Sequence, residues 1–207
     1  NLDKKPSFLL IGNSHGLMLK PFLNEVGIKN HFSFYTLTCD GYPPISGIES
    51  THNLDKESLI FANDLSPLTY EYIDKVSFVV LVVSDFSDFK IPVKQLANTL
   101  LKQNKKLIII NSFPTLEEVN IIKENKGYIN KIGKLKKKES NLLALSAIKV
   151  LAKDYENVTY YDVSKSLIFD AAPFYNDTLI YYDSNHINHY GSLKLVDDLG
   201  DDFYSFI

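Results

Sequence analysis

Two short stretches near opposite ends of the chain hold residues whose types and spacing could do chemistry together. Gly12-Asn13-Ser14-His15 follows the apolar run Phe8–Ile11, and Asp183-Ser184-Asn185-His186 lies close to the C-terminus. A serine hydroxyl is a weak nucleophile at neutral pH and attacks an acyl carbonyl only when a base takes its proton. A histidine held by a carboxylate supplies that base: the Asp fixes the imidazole tautomer and stabilises the imidazolium that forms. The pattern predicts Ser14 as nucleophile, His186 as general base and Asp183 as its orienter. The bland alternative is a helix-capping serine and a solvated Asp-x-x-His loop. Chemistry is favoured because nucleophile, base and orienter can all be named.

Charge developing on the carbonyl oxygen needs donors already in place. The backbone N–H of Ser14 is one, since it sits on the nucleophile's own turn, and Ser84 and Ser87 are the nearest side-chain candidates for a third. His15 adjoins Ser14 and reads as a packing or substrate-contact residue. His189 lies three residues past His186, but no third ligand stands at a suitable spacing, so no metal is expected. His31 and His52 read as surface residues. Tyr42, Tyr181 and Tyr182 flank the proposed site, where aromatic faces suit sugar rings.

The elements that must position these residues follow from periodicity. Apolar, β-branched runs predict strands at Phe8–Ile11, Phe32–Thr36, Phe78–Val83, Leu107–Ile110 and Val158–Tyr161. Segments of helical period lie between them at about Leu17–Val26, Asp55–Asn63, Pro92–Gln103 and Ser140–Tyr155, with Asn188–Leu199 last. This alternation predicts an α/β fold of three layers, α/β/α, around a central, mainly parallel five-stranded sheet. Ligands bind beyond the carboxyl ends of such strands. Ser14, the Cys39-Asp40-Gly41-Tyr42-Pro43-Pro44 turn, Ser84-Asp85-Phe86-Ser87-Asp88 and Asn111-Ser112-Phe113-Pro114 all fall there, on one rim.

Composition narrows the class. The 207 residues, 45% hydrophobic and 23% charged, suit one globular domain over 1–207. The longest apolar run, Phe78–Val83, is far short of a membrane span of about 20 residues. A net charge of -3 points away from nucleic acid. Every basic residue is lysine, so no bidentate guanidinium can grip a phosphate. The single cysteine, Cys39, forms no internal disulfide and reads as a small buried hydrophobe. Lys123–Lys138 contains seven lysines and reads as a solvated insertion. The chain starts at Asn1 without a leader pattern, as expected of a domain excised from a longer protein.

Gly12-Asn13-Ser14-His15 resembles the first block of the SGNH (GDSL-like) hydrolase superfamily, usually Gly-Asp-Ser, and Asp183-x-x-His186 resembles its last block. The extended ending Tyr182-Asp183-Ser184-Asn185-His186-Ile187-Asn188-x-x-Gly191 is similar to that of SGNH domains fused to membrane acyltransferase-3 proteins, which O-acetylate surface polysaccharides. The Cys39–Pro44 turn resembles their second block, and that resemblance implies the Gly41 N–H as the second oxyanion donor. Gly41 also reads as an ordinary turn glycine. The chain departs from the pattern in three places. Asn13 replaces the usual Asp, Cys39 lacks the usual partner, and Val82-Val83-Ser84-Asp85-Phe86 stands where the third block normally offers an oxyanion-binding Asn.

The resemblance implies an O-acetyltransferase domain working through an acyl-serine, with no cofactor. Its acceptor would be a glycan hydroxyl, and its acetyl source a membrane-embedded acyltransferase domain of the same polypeptide. That places it on the extracytoplasmic side, tethered through a missing N-terminal membrane domain. Tyr42, Ser84 and Tyr182 are the candidate substrate contacts. A carbohydrate or lipid esterase is the alternative, and a non-enzymatic glycan-binding module a third reading.

Overall fold

The computed structural model describes residues 6–49, 55–84, 86–111, 113–116 and 139–207, the side chains of Ser87 and of residues 139–143 excepted. The predicted lysine-rich insertion, Lys123–Lys138, and His52 lie outside the described residues, as do Asp85 and Ser112. Five parallel strands form the central sheet: β1 Phe8–Gly12, β2 Phe34–Thr38, β3 Phe78–Val82, β4 Lys106–Ile110 and β5 Val158–Tyr161. They lie in the order β2-β1-β3-β4-β5. The chain therefore starts inside the sheet, steps to one edge, and returns past β1 to build the other side. Gly12 is level with Thr38 on one neighbour and with Val82 on the other, so the loops after β1, β2 and β3 leave the sheet at one height. Such an order opens a crevice between the carboxyl ends of β1 and β3.

Near-continuous apolar strands follow from burial on both faces. Phe8, Leu10, Val80, Val82, Ile108 and Ile110 point into one core, covered by α1 (Ser14–Asn30) and a C-terminal helix, His189–Phe206. Leu9, Ile11, Val79, Leu81, Leu107 and Ile109 point into the other. That second face is covered by α2 (Lys56–Ile73), α3 (Phe86–Lys102) and α4 (Glu139–Asp154). His189–Phe206, the last helix, is α5. The α/β/α layering predicted from the sequence is the fold observed.

Element ends differ from prediction for local reasons. Helix α1 begins at Ser14, not Leu17, because the Asn13 side chain caps it by accepting from the His15 N–H at 3.1 Å. It runs on to Asn30 and exits through His31 in the left-handed conformation (φ 58°), with the Phe32 N–H returning to Gly27 O at 3.0 Å. That exit uses Phe32 and Ser33, so β2 starts at Phe34 instead of Phe32. Helices α2 and α3 outrun their predicted bounds because each continues through a proline, Pro67 and Pro92. Helix α5 extends past Leu199 because Leu195, Leu199 and Phe203 keep one buried stripe. Pro21 lies inside α1, and just after it the Phe22 N–H donates to Ser192 Oγ of α5 at 3.2 Å. That bond ties the helix beginning at Ser14 to the helix following His186.

Two features lie below the length at which periodicity speaks. Val163–Lys165 and Leu167–Phe169 are single 3-10 turns, and β6 (Phe174–Tyr175) pairs with β7 (Thr178–Leu179) through Asn176 and Asp177, both at positive φ. Among the described residues no helix is long and apolar enough to cross a membrane.

Candidate active site

Ser14 is the first residue of α1, directly beyond β1. The β1–α1 turn is tight: a Cβ at Gly12 would lie 2.5 Å from Val82 O and 2.9 Å from the Gly16 Cα, so only glycine fits. As the first helical residue, Ser14 has an N–H that no helical carbonyl can reach. Its hydroxyl lies 2.8 Å from His186 Nε2.

His186 is held from the opposite side. Its Nδ1 lies 2.8 Å and 3.0 Å from the two oxygens of Asp183. Asp183 Oδ1 also accepts the backbone N–H groups of Asn185 at 2.7 Å and His186 at 2.8 Å. Partial burial pushes the Asp183 pKa up, but those amides and the His186 ring outweigh it and hold the carboxyl below its ordinary value. The carboxylate therefore stays ionised and accepts Nδ1–H, which leaves the Nε2 lone pair facing Ser14.

The loop bearing His186 is anchored by backbone. Tyr182 N–H donates to His186 O at 2.8 Å, and Leu116 N–H donates to Ser184 O at 2.7 Å. Asn188 caps α5: its Oδ1 accepts from Gly191 N–H at 2.8 Å while its Nδ2 donates to Leu179 O at 2.7 Å. Tyr181 is fully buried and its hydroxyl donates to Pro114 O. Tyr181 was expected to flank the site with an aromatic face and is instead an anchor in the core, while Asn188, expected at the start of the last helix, is the residue that caps it.

Asn13, noted in the sequence only as a replacement of the usual Asp, has a larger part. It is 2% exposed and links the loops that follow β1, β2 and β3. Its Oδ1 accepts from His15 N–H, and its Nδ2 donates to Ser84 Oγ at 2.8 Å and, more weakly, to Gly41 O at 3.5 Å. Gly41 adopts φ 72°, which favours glycine. Among the described residues neither the Ser14 N–H nor the Gly41 N–H donates to a protein acceptor.

The other candidates are sorted by burial. Tyr42 does not line the rim: its ring is fully buried and packs edge-on against Phe89 at 6.3 Å, because the turn folds it into the second core. Its expected part in substrate contact is corrected accordingly. Tyr182 is 66% exposed beside Asp183. Ser84 is half-buried at the end of β3, and Ser87 falls in the first turn of α3 with its side chain outside the described set. His15 is buried and stacks on Phe113, which is the packing reading. Cys39 is buried, and that burial foremost raises its thiol pKa.

Over residues 1–200 the sequence matches the family described as the SGNH domain fused to AT3 domains. The chain belongs to that family. Solved structures agree on the fold. A protein of Slackia heliotrinireducens described as an SGNH hydrolase superposes with a TM-score of 0.63 at 15% identity, covering 97% of this chain and 100% of its own. A family 3 carbohydrate esterase of Clostridium thermocellum gives 0.53 at 12% identity, covering 98% and 99%. None of the curated proteins matches the sequence. As an SGNH domain the chain is of the hydrolase and acyltransferase class, and its family is one joined to AT3 membrane domains.

Proposed function

We propose that this SGNH domain is an O-acetyltransferase that passes an acetyl group through Ser14 to a hydroxyl of a cell-surface polysaccharide. The observation that supports this most is the relay through the His186 ring: Ser14 Oγ lies 2.8 Å from Nε2, and Nδ1 lies 2.8 Å from Asp183 Oδ2. Ser14 Oγ attacks the acetyl carbonyl while its proton passes to His186 Nε2, and Asp183 stabilises the imidazolium. Collapse of the tetrahedral intermediate expels the donor alkoxide, which takes the proton from His186. In the second half a glycan hydroxyl gives its proton to Nε2 and attacks the acyl-serine, and Ser14 leaves reprotonated. The N–H groups of Ser14 and Gly41 are the backbone donors assigned to the oxyanion.

The family's fusion to AT3 domains supports a membrane-embedded partner in the same polypeptide as the acetyl source, with this domain on the extracytoplasmic side. Residues 1–207 are then one catalytic unit of a longer protein. Direct use of acetyl-coenzyme A is not part of the proposal, because the chain has neither a glycine-rich phosphate loop nor an arginine.

Water in place of the sugar hydroxyl would make the domain an esterase, the activity named for the Clostridium thermocellum neighbour. Mass spectrometry of products separates the two, with a panel of surface oligosaccharides and an activated acetyl ester as donor. Transfer predicts acetylated sugar and faster ester consumption when the right acceptor is added. Free acetate alone across the panel, with rapid deacetylation of pre-acetylated glycans, would establish the esterase instead.

A further inference from the structure

We infer that Ser84 supplies a side-chain hydrogen bond to the oxyanion and that Asn13 acts as the positioning residue that aims its proton. The inference rests on the acyl-serine reading of Ser14 and adds a donor to it. Two unambiguous partners fix the orientation of the Asn13 amide. The His15 N–H can only donate, so the atom facing it at 3.1 Å is Oδ1. The Gly41 carbonyl can only accept, so the atom facing it is Nδ2. Ser84 Oγ, 2.8 Å from that same Nδ2, is therefore obliged to accept. Its own proton points away from Asn13, and among the described residues no other group takes it.

Register brings Ser84 to the same rim as Ser14. Gly12 and Val82 are level on the neighbouring strands β1 and β3. Ser14 and Ser84 each stand two residues further on, at the two lips of the crevice that this strand order opens. As Ser14 Oγ bonds to the carbonyl carbon, the C=O π pair moves onto oxygen. The Ser84 O–H donates a hydrogen bond to that oxygen, and no proton is transferred.

Two of the three departures from the family pattern, at Asn13 and at Ser84, are then one change. With Asp at position 13 the carboxylate would accept the Ser84 proton and remove the donor, and it would also face the Gly41 carbonyl with like polarity. With Asn at 13 a serine at 84 is left with a free proton, so it can stand where the third block normally places Asn.

The test is steady-state hydrolysis of p-nitrophenyl acetate by the whole domain, with melting followed by circular dichroism. Ser84→Ala should lower kcat about 10²-fold with little change in KM, the size of loss seen when one oxyanion donor is removed. Ser84→Thr keeps a hydroxyl and should retain most of the activity. Asn13→Asp should lower kcat comparably, and Asn13→Asp with Ser84→Ala should be no worse than Ser84→Ala alone, because both remove the same bond. Should Asn13→Asp fail to fold, the contrast of Ser84→Ala with Ser84→Thr decides. Ser84→Ala within about threefold of the parent kcat, Ser84→Thr as impaired as Ser84→Ala, or multiplicative losses in the double variant would overturn the inference. Ser14→Ala is the separate control: turnover surviving there removes the acyl-serine reading itself, whatever Ser84 does.

Discussion

The imidazole of His15 stands 5.1 Å from that of His186, tilted by 53°, and stacks on Phe113 at 5.5 Å. Two adjacent histidines cannot both carry charge cheaply, and burial decides which one does not. Desolvation foremost, then the neighbouring His186, lower the His15 pKa to about 3, against a smaller opposing pull from Asp183. His15 therefore stays neutral beside the proposed base.

Acid stability follows from that pairing. Unfolded, His15 binds a proton below about 6.5, but in the fold it resists until about 3. The unfolded state thus takes up the proton first, so stability is fully present above about pH 6.5 and falls as pH drops towards 3. Asp183, also depressed, acts in the same direction, below its ordinary value. The His15 contribution has a slope of up to about 1.4 kcal/mol per pH unit. His15→Phe should flatten the pH dependence of urea-unfolding free energies in that window, whatever it does to stability at neutral pH. Parallel profiles for parent and variant would remove His15 as the cause.

Ser14→Ala and His186→Ala should each lower turnover of an activated acetyl ester by about 10³-fold or more, since nucleophile and base act as one unit. Asp183→Asn should be crippling too. An amide cannot accept Nδ1–H through its nitrogen, so the ring would favour the tautomer that turns an N–H towards Ser14. Circular dichroism spectra should stay parental for Ser14→Ala and His186→Ala. Near-parental activity in Ser14→Ala would overturn the assignment.

How much of this was legible depended on length and on partners. Strands such as Leu107–Ile110 and Val158–Tyr161 announce themselves through apolar runs. Ser14, Asp183 and His186 stood out because reactive side chains at motif spacing are local information. Helix ends were misread where a proline sits inside the helix, as at Pro67 and Pro92, because tertiary packing overrides a local breaker. Asn13 was read as a mere replacement of Asp, since its role depends on Gly41 and Ser84, 28 and 71 residues away.

Tyr42 and Tyr182 look alike in sequence and differ in burial, which yields opposite expectations. Tyr42→Ala empties a fully buried site and should cost about 3–5 kcal/mol of stability. Tyr182→Ala removes an exposed ring beside Asp183 and should leave melting unchanged. If that ring contacts the glycan acceptor, its loss raises the acceptor KM about 3- to 10-fold without altering hydrolysis of a small acetyl ester. An unchanged acceptor KM would take Tyr182 out of the acceptor site.

The loop carrying His186 is clamped where α5 begins. Asn188 N–H donates to Ile180 O at 2.9 Å, and a Cβ at Gly191 would meet that same carbonyl oxygen at 2.5 Å. Backbone cannot yield there as a side chain can, so Gly191→Ala must move α5 or the 180–188 loop. The expected loss is about 1–3 kcal/mol of stability, together with a fall in kcat because His186 shifts from Ser14. Gly200 in the same helix is the control: its added Cβ would meet side-chain carbon, the Val196 Cγ1 tip at 3.2 Å and Val26 Cγ2 at 3.7 Å being the nearest. Gly200→Ala should keep stability within about 1 kcal/mol, the helix-propensity gain offsetting the contact, and leave kcat unchanged. Equal kcat losses in the two variants would place the sensitivity in α5 as a whole and not in the clamp at Gly191.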